Sequence, residues 1–123
     1  MQFNGKQLAS LVKLGVAMIQ ADGKVEENEL KFLAAELASF GIDSDDLSTV
    51  MEASEQLEAA DALATIAAMD AQQKVEATAF LGAMIAADGD VDDAELKLWA
   101  LVSHLCDLPT MSIADAIRIM TGN

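Results

Sequence analysis

The sequence of 123 residues has no tyrosine, one cysteine, one proline and one histidine. Each scarcity excludes something. The lone Cys106 rules out an internal disulfide and suits a reducing cytoplasm. With His104 as the one histidine, the chain cannot assemble the roughly four nitrogen and sulfur ligands of a structural zinc site. His104 and Cys106 stand two residues apart, which on a helix points them to different faces and argues against a catalytic pair. The aromatics are four Phe and Trp99, few platforms for a stacked ligand. Bases are scarce as well: 7 Lys and Arg stand against 21 acids, a formal charge of −14. A chain so acidic has no basic face for nucleic-acid phosphates or anionic lipid, and its electrostatic partners are cations and basic protein surfaces. The longest stretch without a charged side chain, residues 77–87, is 11 residues. A membrane span needs about 20. The opening MQFNGKQLASLVK lacks the layout of a signal peptide, so the expected location is cytoplasmic.

What the chain does contain is helix-forming material. Apolar residues make up 53%, and alanine alone occurs 23 times. Leu, Met, Glu, Gln and Lys supply most of the rest, and these rank highest in helix propensity. No stretch alternates with period 2. The expectation is an all-α fold in one domain over residues 1–123, with about seven helices. A first helix is predicted from Lys6 to Ala21, with Leu8, Leu11, Val12, Gly15, Met18 and Ile19 at three- and four-residue spacing. A second runs from Glu26 to Phe40. A short third follows Asp43 to Asp46 and holds Leu47, Val50 and Met51. A fourth spans Gln56 to Met69. Asp70 caps a fifth that ends near Ala87. The sixth covers Asp93 to Leu105. Beyond Pro109, Ser112 and Asp115 carry the spacing of a capping box for the last helix. Gly15 and Gly82 lie inside helices, where close crossing of a neighbour would explain them. Trp99 and Cys106 read as core, and His104 as a partly exposed residue near a helix end.

The chain also repeats itself. Residues 17–31 read AMIQADGKVEENELK, and residues 83–97 read AMIAADGDVDDAELK. At a shift of 66, ten of these fifteen positions are identical. Glu26 and Glu27 face Asp92 and Asp93 in that alignment, one acid for another. The unit is a helix, an Ala-Asp-Gly turn, an inward valine, an acidic cluster and a second helix. Two such helix-turn-helix hairpins, about 8–40 and 74–106, are expected as pseudo-symmetric halves, with the third and fourth helices joining them.

The string Asp-Gly-x-Val-x-x-x-Glu has the spacing of the second half of an EF-hand calcium loop. The first half is missing, because the opening ligand positions fall on Met18 and Gln20, or on Met84 and Ala86. Carboxylates alone remain, and carboxylates hold hard cations with water completing the shell. A purely structural role competes with that one. Asp92 and Glu95 fit a capping box, and acids in a first helical turn are favoured by the helix dipole by about 0.3–1 kcal/mol each. In the first copy the cap position holds Glu26, a poor cap, yet Glu29 is present all the same. In the second, Asp88, Asp90, Asp92, Asp93 and Glu95 crowd into eight residues, a density that repels itself and invites a counter-cation.

On these residues the chain resembles the TerB-like family, named for a bacterial tellurite-resistance protein. The matching strings are ADGKVEENEL at 21–30 and ADGDVDDAEL at 87–96, and the resemblance runs from about Leu8 to Leu108. It implies a compact helical domain linked to bacterial stress responses, tellurite among them, with metal proposed to bind at the acidic positions. A related domain in a membrane-anchored J-domain co-chaperone implies an interaction role. Carried over, the candidate ligands are Asp22 and Glu29 in one copy and Asp88 and Glu95 in the other, with Glu26 and Asp92 beside them. The expected ligand is a divalent cation, calcium, magnesium or manganese in preference to zinc. The alternative is a module that docks a basic protein through its acidic face without metal. No nucleophile and no phosphate-cradling loop points to an enzyme.

Overall fold

A computed structural model describes residues 3–20, 35, 44–86 and 91–122. Among these residues the regular structure is helical throughout, with no strand. Six helices are described: α1 Gly5–Ile19, α2 Ser44–Gln56, α3 Ala59–Ala67, α4 Ala71–Ile85, α5 Asp93–Leu105 and α6 Ile113–Thr121. The expected helix from Glu26 to Phe40 lies outside the described residues, apart from the helical Ala35. None of the described helices is long and apolar enough to cross a membrane.

The helices begin where local chemistry lets them. Asn4 caps α1 by accepting from the Gln7 N–H at 2.8 Å, while the Gln7 Oε1 accepts from the Asn4 N–H at 2.9 Å. Asp70 and Gln73 form the same reciprocal box at α4, with distances of 2.8 and 3.2 Å. Ser112 and Asp115 form a third at α6. Each box satisfies N–H groups that a helix start leaves orphaned. The fourth helix starts later than expected, at Ala59 rather than Gln56, and its N-cap Glu58 makes no side-chain bond. The third, expected to be short, is 13 residues long.

Ends are equally local. The last turn of α5 closes with the Leu108 N–H donating to the Ser103 carbonyl at 2.8 Å and the Asp107 N–H to the His104 carbonyl at 3.4 Å. This is the Schellman pattern. It puts Asp107 at φ 54°, a left-handed conformation that aspartate tolerates better than most residues. Pro109 follows and cannot extend the helix. Gly122, at φ 77°, ends α6 in the same region.

The core gathers around two helices. α1 packs on α2, α3, α4 and α5, and α4 packs on α1, α3, α5 and α6. Every residue of α4 from Ala77 to Ile85 is buried, so this segment meets protein all round rather than along one stripe. Phe80, Leu11, Met18, Ile66, Leu81, Met84 and Ile85 are the largest side chains sealed from water. Complete burial of such a side chain is favourable by about 1.5–3 kcal/mol.

Shifted by 66, the bounds of α1 coincide with those of α4, and their boxes align, Asn4 with Asp70 and Gln7 with Gln73. The two boxes also touch: the Gln73 amide donates to the Gln7 Oε1 at 3.2 Å, and the Gln7 amide to the Gln73 Oε1 at 3.5 Å. α2 packs on α1 as α6 packs on α4. The same shift carries residues 47–55 of α2 onto Ile113–Thr121 of α6. The third predicted helix thus packs on α1, as does α3.

Candidate functional site

The six candidate ligands are divided by the described region. Asp22, Glu26, Glu29 and Asp88 lie outside the described residues, whereas Asp92 and Glu95 are described. Asp92 is the half-buried N-cap of α5 and accepts from the Ala94 N–H at 2.7 Å. The spacing pointed to a box closed on the Glu95 N–H; the bond goes to Ala94 instead. Glu95 is 3% exposed, a carboxylate carried into the interior from the first turn of α5. Among the described residues, no group of three or more His, Cys, Asp or Glu side chains could hold a metal.

The approach to the two acidic strings can be traced along α1 and α4. Gln7 touches Gln73 near the starts of the helices. Farther along, a Cβ on Gly15 would lie 3.6 Å from Phe80 and 3.9 Å from Met84. Contacts in that order mean that α1 and α4 run side by side in the same direction. Their C-caps, Gln20 and Ala86, therefore sit at the same end of the pair. Each C-cap precedes its acidic string by two residues, Asp22 and Asp88.

The other residues weighed in the sequence take structural places. Trp99 is 7% exposed, and its Nε1 donates to the Thr78 carbonyl at 3.2 Å. Cys106 is sealed from solvent, and its Sγ–H donates to the Leu63 carbonyl at 3.3 Å. Burial pushes its thiol pKa up, opposed by the nearby Lys74 charge. A raised pKa keeps the sulfur as an unreactive thiol at neutral pH. His104 is exposed in the last turn of α5, beside a shallow cleft of about 290 Å³ that also takes in Ser103 and Asp107. Gly82 does mark a close crossing, since a Cβ there would lie 2.6 Å from the Trp99 ring and 2.7 Å from the Ala116 Cβ. Gly15 does not, its neighbours being at ordinary contact distance. Sequence reasoning missed the Asn4–Gln7 box and its contact with Gln73. The signal was present as an Asx residue followed three positions later by Gln, at the repeat spacing of 66.

Comparison with known proteins agrees with this architecture. No curated protein matches the chain. Among solved structures it is similar to a protein of unknown function, PG1108, from Porphyromonas gingivalis W83. The two share 41% identity with a TM-score of 0.89, and the match covers 98% of this chain and 92% of the other. Residues 7–120 match the family described as Tellurite resistance protein TerB. With nearly its whole length inside that match, and with two Asp-Gly-x-Val-x-x-x-Glu strings in its sequence, the chain belongs to the TerB family.

Proposed function

We propose that this protein is a non-enzymatic domain built from two pseudo-symmetric repeats, which binds a divalent cation in a cytoplasmic bacterial stress response of the tellurite-resistance type. The binding groups are the carboxylates of Asp22, Glu26, Glu29, Asp88, Asp92 and Glu95. The cation is calcium, magnesium or manganese in preference to zinc, because the set offers oxygen and neither sulfur nor imidazole. The observation that carries this reading is the parallel course of α1 and α4, which brings Gln20 and Ala86 to one end of the pair.

A second reading is a docking module for a basic partner. Its support is the charge of −14 together with Leu101 and Leu105, 52% and 56% exposed on one face of α5. Calorimetry and thermal melts with calcium, magnesium and manganese separate the two. Cation binding to the native state raises its melting temperature, by about 2.7 kcal/mol of stability at a hundredfold excess over Kd. The expected result is saturable heat and a raised Tm in the wild type, both lost in the Asp22→Asn/Asp88→Asn double variant. A Tm that moves no more with millimolar divalent ions than with monovalent salt of equal ionic strength would sink the cation reading.

A further inference from the structure

The two halves of the chain differ at one packing position. On α4, Gly82 receives Trp99 and Ala116, and all three are buried. At the 66-residue shift, Gly82 corresponds to Val16 on α1 and Ala116 to Val50 on α2, and both valines are only half-buried. Two β-branched side chains stand where glycine and alanine let the other helices close. Between α1 and α2 there is a cleft of about 360 Å³, within the range of about 300–1,000 Å³ common for small-molecule sites.

Its walls carry Val16 and Ala17 on α1 and Met51 on α2, with Gln20, the C-cap of α1, also lining it. Its two charges are opposite and come from different helices, Lys13 on α1 and Glu55 on α2. Among the described residues neither is held in an ion pair. The cleft also takes in the buried Ser54, whose hydroxyl donates to the Met51 carbonyl at 2.6 Å and so faces a ligand only as an acceptor. We propose that this cleft binds a small zwitterion with an aliphatic body, an aliphatic α-amino acid, with its carboxylate on Lys13, its ammonium on Glu55 and its side chain against Val16, Ala17 and Met51. A net anion would meet the field of a chain at −14, and a net cation would meet Lys13 directly. A zwitterion carries both charges and escapes both repulsions. The site does not depend on the acidic turns, so its fate is independent of the cation reading.

The probe is free L-leucine, titrated into 15N-labelled full-length protein, with isocaproate (no ammonium) and isoamylamine (no carboxylate) as comparisons. Leucine is expected to shift the amides of Val16, Ala17 and Met51 saturably, with both comparison compounds at least about tenfold weaker, the worth of one charge-assisted contact. Lys13→Met is expected to weaken leucine about tenfold without weakening isoamylamine, which loses a repulsion. Glu55→Gln is expected to weaken leucine by a similar factor without weakening isocaproate. Both side chains lie at the surface of the cleft, so unchanged melting temperatures verify the folding of the variants. The proposal is overturned if leucine moves no cleft amide at tens of millimolar. It is equally overturned if either comparison compound binds as tightly as leucine, or if the folded variants bind leucine like the wild type.

Discussion

Two glycines in equivalent-looking helical settings make opposite demands. Gly15 has open contact distances around it, whereas a Cβ on Gly82 would overlap the Trp99 ring and the Ala116 methyl. Gly15→Ala is therefore expected to stabilise the fold by about 0.5–1 kcal/mol, the helical preference of alanine over glycine. Gly82→Ala gains the same propensity but forces Trp99 and α6 outward, at a cost of about 1–3 kcal/mol from overpacking. Urea denaturation of the two variants should move the midpoint in opposite directions. The sequence makes both glycines conspicuous, but only the packing tells them apart, because the residues that crowd Gly82 come from two other helices. Glu95 teaches the same lesson. An acid in the first turn of a helix reads as solvent-facing, yet it is buried. Its depth depends on what α5 packs against, which local spacing does not encode.

At the scale of the element, cap chemistry was readable wherever a side chain supplies it. Asp70 and Ser112 stand where the sequence places them, and α5 occupies the predicted residues. The start of α3 was not readable, since Glu58 caps without a side-chain bond and no Gly or Pro marks the boundary. The α6 cap can be followed by titration. The Ser112 hydroxyl and backbone N–H, aided by Arg118, hold the Asp115 carboxyl below its ordinary range. A carboxylate with a depressed native pKa adds stability above its unfolded pKa, and that stability is lost as pH falls through the lower native value. In Ser112→Ala the Asp115 titration, followed by NMR, is expected to move back up, and the cap to lose about 1 kcal/mol by thermal denaturation near neutral pH.

For the whole molecule, the all-helical class followed from composition, and the 66-residue repeat from direct comparison of 17–31 with 83–97. The repeat runs further than those strings suggest. Its first turn is written in different residues, Asn-Gly-Lys-Gln against Asp-Ala-Gln-Gln, that perform the same capping. Identity fades there while function is kept, because an N-cap accepts Asn and Asp alike. The Gln7–Gln73 amide pair then couples the two halves. A double-mutant cycle with Gln7→Ala and Gln73→Ala is expected to give an interaction energy of about 0.5–1.5 kcal/mol by chemical denaturation. A cycle that closes within about 0.3 kcal/mol would mean the amides act only as separate caps. The candidate cation site was legible as a pattern of acids and opaque as a geometry. The common course of α1 and α4 is a product of packing, and nothing in either acidic string specifies it.

That amide pair also bears on the order of assembly. α1 finds its neighbour α4 across 66 residues of chain, and α4 is the helix with the most completely buried segment. Closing a loop of that length costs entropy before any packing offsets it, though each doubling of length adds only about 0.6 kcal/mol. During synthesis α1 can pack first on α2 and α3, and it meets α4 only after that helix has emerged. α4 and α6, separated by a shorter stretch, pack most extensively and offer the earlier nucleus, onto which the N-terminal half then docks.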